Sequence, residues 1–195
     1  MNYLKQSVAQ VALEVRGTDM HIMLDLETMG TKSNAAIVSI GAVSFDKDRV
    51  FDEFYIPICL QDSVSCGLSM DAGTVLWWLD QPKEAIRAFH NSEVKGLDEA
   101  LYSFADWTAL QGDPQTIFMW GNGPDFDNAI LWNAYRIRGI TAPWEWNKNR
   151  CFRTVKALVP SAKMERSGVV HNALDDARNQ AHHLIYCTKR LGGFL

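Results

Sequence analysis

Two carboxylates interrupt an apolar run near the start of the sequence. In LDLETMG, Asp25 and Glu27 follow MHIM and precede AAIVSIGAVSF, both of which read as core strand. Acids in that setting are costly unless something compensates them, and solvent, a salt bridge or a metal ion can each do so. Residues two apart on a strand share a face, with side chains roughly 6.5–7 Å apart along the chain. Carboxylates so placed can grip a divalent cation between them, and repel each other without one. A D-x-E pair alone fits a solvent-facing strand equally well, so the reading depends on further acids.

Two other stretches supply them. WGNGPDFDNAIL holds Asp125 and Asp127 just after an expected strand, at a helix start. Sites of α/β sheets tend to lie there, and a first-turn acid is stabilised by the helix dipole. In HNALDDARNQAHH, Asn172 is the expected N-cap and Asp175 falls at the third helical position, where an acid can reach back to the cap. Asp176 is then free. It adjoins Ala177 on the apolar stripe and should point toward the sheet. His171, on the loop before this helix, can swing over the same place. Four acids without a cysteine suit a hard cation.

The elements that must position these residues follow from hydrophobic period and turn residues. Strands are expected near 20–26, 36–45 and 49–57, joined by turns at 30–34 and 46–48, as an antiparallel meander. A helical region follows from about 71 to 112, broken at Gln81-Pro82 and near Gly96. QTIFMW is a short strand, and 125–138 a helix with Ile130, Leu131, Ala134 and Ile137 inward. CFRT reads as a last strand running into a short helix that Pro160 ends. A final helix spans about 172–190 with Leu174, Ala177, Ala181, Leu184 and Ile185 inward, and His182 and His183 exposed. Three consecutive strands, then strands alternating with helices, predict an α/β fold with a mixed sheet. Residues 1–19 carry a helical stripe (Leu4, Val8, Val11, Ala12, Val15) and read as an N-terminal extension to a domain over 20–195.

The chain has 195 residues, 47% of them hydrophobic, which suffices for a sizeable core. No apolar run approaches the ~20 residues of a membrane span. There is no secretory pattern, and the four scattered cysteines suggest reduced thiols, so a cytoplasmic location is expected. Net charge is −4, but its distribution is uneven. Residues 128–166 carry eight bases against two acids, and residues 46–113 carry thirteen acids against five bases. One phosphate-facing side would produce that asymmetry, as would chance clustering on solvated helices.

DLET, then N-x-x-x-F-D, then H-x-x-x-x-D, in this order, resembles the DEDDh 3′→5′ exonucleases, the superfamily of polymerase proofreading subunits, RNase T and oligoribonuclease. DLETMG, VSIGAVSFD, WWLDQPKEA, WGNGPDFDN and RTVKAL look most like the exodeoxyribonuclease VIII-like phage and prophage exonucleases and the related DexA-type and RNase AS enzymes. The resemblance spans about 20–190 and implies an RNase H-like sheet flanked by helices. It implies Asp25, Glu27, Asp127 and Asp176 as ligands of two Mg²⁺ or Mn²⁺ ions, with His171 as the general base of in-line phosphodiester hydrolysis. Asp127 is preferred over Asp125 because it directly follows the aromatic. Asp125 is an extra acid that either caps the helix or adjusts the metal site.

The resemblance further implies Leu26, Thr28, Met29, Asn122, Phe126 and Arg153 as substrate contacts, with Arg153 standing where the wider family carries aspartate. Met29 reads either as a floor under a base or as core filling. Of the adjacent Trp77 and Trp78, at most one should face the site. The implied activity is removal of nucleoside 5′-monophosphates from single-stranded 3′ ends, DNA favoured. An RNA-tail-trimming ribonuclease and a catalytically silent nucleic-acid-binding module are the alternatives. A homodimer is open, with the 1–19 segment as an interface element.

Overall fold

The computed structural model describes residues 20–86, 93–161, 163–193 and 195. The expected helix within 1–19 lies outside them. β1 (Met20–Thr28), β2 (Ile37–Phe45) and β3 (Val50–Pro57) form the meander, each antiparallel to the next. β4 (Ile117–Gly121) and β5 (Asn149–Cys151) then add in parallel on the other side of β1, giving the order β3-β2-β1-β4-β5. The fold is therefore α/β with a mixed sheet, in the expected RNase H-like arrangement.

β1 and β2 are central and almost wholly buried, because helices cover both faces. Strand alternation divides β1 between two cores. Met20, Ile22, Leu24 and Leu26 face a core shared with α4 (Leu97–Gln111) and α5 (Asp127–Arg138), including Leu101, Phe104, Ile130 and Leu131. Met23 faces the opposite core, with Val43, Phe45, Trp120 and residues of α6 (Phe152–Leu158) and α7 (Ala173–Arg190), among them Ala177, Ala181 and Leu184. Asp25 and Glu27 continue this second, odd-numbered face.

Smaller elements complete the chain. α1 (Leu60–Ser65), α2 (Ala72–Leu79) and α3 (Lys83–Ile86) lie between β3 and α4, with the expected break at Gln81-Pro82. α1 was not expected, since six residues hold too little periodicity to be read. It is fixed from outside: Ser63 Oγ donates to Ile37 O (2.8 Å), and Leu97 N donates to Asp62 Oδ2 (2.6 Å). The turn after β2 follows its residues, with Asp46 Oδ1 accepting from the backbone of Asp48 and Arg49.

Three expectations are corrected. The strand read over CFRT ends at Cys151, and Phe152 already opens α6, where the Cys151 thiol accepts from Thr154 N. Tyr135, not Ile137, completes the inner face of α5, because its hydroxyl reaches Leu101 O (2.6 Å) while Ile137 is 37% exposed. His183 is not simply exposed, since it packs edge-on against Phe152 at 5.5 Å. Among the described residues no helix is long and apolar enough to cross a membrane.

Candidate active site

The site forms where the starts of α5 and α7 meet the C-terminal half of β1. The first contribution is β1 itself: Glu27 is buried at 6% exposure, and Asp25 is partly buried beside it on the α7 side. The second comes from the start of α5. Asp127 is its first residue, and its Oδ1 accepts from Leu26 N (3.1 Å), tying the helix to β1 between the two strand acids. Asn128 secures the same junction by donating to Met119 O (3.0 Å) and Asn149 Oδ1 (2.9 Å). A side chain at Gly121 would collide with Asn128, 2.3 Å from its Oδ1.

The third contribution is the first turn of α7. Asn172 caps it as expected, its Oδ1 accepting from Asp175 N (3.1 Å). The Asp175 carboxylate does not return to the cap. It accepts from Val169 N (2.8 Å) and pairs with Arg178, which also holds Glu53. Those bonds order the loop that carries His171, a residue at positive φ (62°). The turn can lie directly on β2 because Gly41, the neighbour of Asp25 across the ladder, has no side chain. A Cβ there would sit 2.2 Å from the Ala173 carbonyl carbon. The sheet and helix backbones thus approach closely enough to bring Asp176 over β1.

Ligand atoms of Glu27, His171 and Asp176 lie within 4.8 Å of one another. Asp176 Oδ2 accepts from His171 N (3.2 Å), and its Oδ1 accepts from Arg166. Gln180 Nε2 donates to Asp25 Oδ1 (2.7 Å). The imidazole of His171 packs edge-on against Trp77 (centroids 4.9 Å) and Trp78 (6.0 Å).

The electrostatics show crowded negative charge. Burial, then the charges of Asp127, Glu27 and Asp176, holds the Asp25 carboxyl well above the usual range, with the Gln180 bond opposing. Burial, then Asp176 and Asp127, pushes Glu27 up to about 8. Burial pushes Asp127 to about 7, against the backbone N–H bonds and the Arg153 charge that favour its ionised form. A divalent cation would reverse that repulsion, and carboxylate oxygens are the donors a hard divalent cation accepts. The residues therefore fit a metal site, and the Glu27–His171–Asp176 cluster is able to coordinate an ion.

A cavity of about 490 Å³ adjoins the acids. Its walls include Leu26, Glu27, Thr28, Trp77, Trp78 and Phe126. Both tryptophans therefore line it, against the expectation of at most one. Trp78 is held there by donating Nε1–H to Thr28 O (2.9 Å), which turns its ring along the wall while Trp77 stays 44% exposed. Of the two readings of Met29, core filling is the one its position matches: it is buried in the α4–α5 core and is not among the cavity's walls. Asn122 and Arg153 line a separate hollow, with Arg153 donating to Asn122 O (2.6 Å). Asp125 is exposed and does not cap α5, whose N-cap is Phe126.

Sequence reasoning missed Gln180, Arg166 and Gly41. Gln180 stands four residues after Asp176, on the same helix face, so its position was readable. A glycine inside the strand SIGAVSF also signals close backbone approach. Nothing local marks Arg166.

Residues 20–188 match the family described as 3′-5′ exoribonuclease Rv2179c-like domain. The chain belongs to this family. Similar solved structures share its fold at low identity. The nuclease domain of 3′hExo, a DEDDh family member bound to rAMP, has a TM-score of 0.61 at 13% identity, covering 90% of this chain and 94% of that one. Cell-death related nuclease 4 has 0.55 at 13%, covering 89% and 64%. The metal-free E. coli ExoI–ssDNA complex has 0.56 at 16%, covering 88% and 39%. No curated protein sequence matches the chain. The likeness to these solved structures is one of fold.

Proposed function

We propose that this protein is a metal-dependent 3′→5′ exonuclease that removes nucleoside 5′-monophosphates from single-stranded 3′ ends, acting by the two-ion chemistry of the DEDDh enzymes. The observation that carries the reading is the gathering of four mutually repelling carboxylates and His171 beside an apolar-walled cavity. Asp25, Glu27, Asp127 and Asp176 would hold Mg²⁺ or Mn²⁺, and bound metal supplies charge stabilisation at the attacking and leaving oxygens.

The chain's own residues do the rest. Leu26, Thr28, Phe126 and the two tryptophans receive the terminal sugar and base, where aromatic stacking is worth about 1–3 kcal/mol per base. His171, held against Trp77 and Trp78, accepts a proton from the attacking water. The hydroxyl adds to phosphorus and the P–O3′ bond breaks. The shortened strand leaves with its O3′ protonated by solvent, and His171 returns its proton to solvent.

The family description, an exoribonuclease, weighs toward RNA over the DNA expected from sequence. That 3′hExo was captured with rAMP and ExoI with ssDNA supports a nucleotide ligand of either sugar. The test offers 5′-labelled single-stranded RNA and DNA of matched sequence, with Mg²⁺ or EDTA, to wild type and Asp127→Ala. A ladder shortening from the 3′ end, stronger on RNA and lost in EDTA and in the variant, is expected. No metal-dependent digestion of either strand would reject the reading.

A further inference from the structure

A second hollow of about 440 Å³ opens against α6 and α7, with Asn122, Phe152, Lys156, Lys163, Arg166 and Gln180 among its walls. It shares Asn122, Lys156 and Pro160 with the hollow at Arg153. Together their walls hold four Lys and Arg side chains, Arg153, Lys156, Lys163 and Arg166, against one acid, Glu165. Half of the eight bases clustered in residues 128–166 thus converge here. Others in that cluster have different partners: Arg138 pairs with Asp98 (2.6 Å), and Lys148 and Arg150 lie over the Phe118 ring.

The walls also touch the acids. Gln180 donates to Asp25 and Arg166 pairs with Asp176, while Glu27 is a wall of the apolar cavity. The carboxylates therefore stand between an apolar hollow and a basic one. A strand whose last base and sugar fill the first, with its scissile phosphate at the acids, must continue on the other side.

We propose that the basic hollow is a subsite for the phosphodiester group next upstream of the scissile one in a single-stranded polynucleotide. This rests on the exonuclease reading above. Lys156 and Lys163 neutralise that phosphate by charge-assisted contacts, and Arg153 extends the track. The subsite makes cleavage depend on strand length. A dinucleotide with a 5′-hydroxyl has only the scissile phosphate. A 5′-phosphorylated dinucleotide or a trinucleotide has an upstream one as well.

The experiment measures kcat/KM with Mg²⁺ on those three substrates, for the full chain and for Lys156→Ala/Lys163→Ala, with thermal melting as the check on folding. Wild type should prefer the two substrates bearing an upstream phosphate by about tenfold. The folded double variant should lose most of that preference. The log–log salt slope on the trinucleotide should become shallower by ~0.7 per lost contact. If the double variant melts early, single Lys156→Gln and Lys163→Gln variants carry the same comparison. No length preference in wild type, or an unchanged one in the folded variants, overturns the subsite and leaves the exonuclease reading intact. Failure of wild type on these and on longer strands, with Mg²⁺ or Mn²⁺, removes both.

Discussion

Replacing Gly41 by alanine should disable the site without touching any of its chemical groups. The added Cβ would stand 2.2 Å from the Ala173 carbonyl carbon, 2.3 Å from Leu174 N and 2.4 Å from Ala173 O. Non-bonded carbon contacts settle near ~3.5–4.0 Å, so one backbone must retreat by roughly 1–1.5 Å. β2 is clamped between β1 and β3, which leaves the first turn of α7 to move. Asp176 and the His171 loop move with it, while Asp25 and Glu27 stay. Overpacking of this kind costs about 1–3 kcal/mol, or roughly 3–10 °C in Tm for a chain of this size. A displacement near 1 Å at reacting groups costs about 10²-fold in rate.

The assay is kcat on a labelled single strand at saturating Mg²⁺, alongside thermal melting with and without the metal. Gly112→Ala is the control, because a Cβ there meets nothing closer than 3.5 Å on extended backbone. A Gly41→Ala protein with kcat within twofold of wild type and an unchanged melting curve would refute the claim that this glycine sets the helix–sheet approach.

The remaining expectations concern charge and the loop. Glu27 has a folded value of about 8 against an ordinary 4.5, so it contributes stability below pH ~4.5 that is lost as pH rises through 8. In EDTA, Glu27→Gln should therefore melt progressively higher than wild type from pH 5 to 8. The gain at pH 8 should be on the order of 1–2 kcal/mol, or a few degrees, and the variant should lose the Mn²⁺-dependent rise in Tm. At limiting Mg²⁺, wild-type activity should climb between pH 6 and 8 as Asp127 and Glu27 give up protons to bind metal, and a flat profile would count against the cluster as the metal site. His171→Ala should lower kcat by ~10²-fold with the fold retained by circular dichroism, and near-normal turnover would remove His171 from the mechanism. Gly168→Ala meets Asp175 Cγ at 2.3 Å on backbone with φ +81°. It should break the Asp175–Val169 bond and cost about tenfold in kcat, read against a melting shift of about 1–2 kcal/mol.

Much of the site's local geometry could be read from the chain. The two-residue spacing of Asp25 and Glu27 dictates a shared face on any strand. Asn172 and Asp175 dictate where α7 starts, so Asp176 had to follow in its first turn. What such periods cannot supply is which faces meet. Met29 is one residue beyond Thr28, and it joins the core just past a register shift between Glu27 and Thr28 that interrupts the strand's alternation. Trp77 and Trp78 are neighbours on a helix, yet both line the cavity, Trp78 with its ring bonded to Thr28 O.

The sequence by itself determined the acids, their order, the strand–helix pattern and the excess of base in residues 128–166, because each is a matter of residue type or short-range period. The tertiary structure alone decided that β4 pairs with β1 across from β2, so that Asp127 and Asp176 reach the same strand from two helices. It also decided that Gly41 admits α7 to the sheet, and that half of those bases converge beside the carboxylates. These depend on contacts between residues tens of positions apart, whose free energy comes from packing whole elements together and leaves no period in the chain.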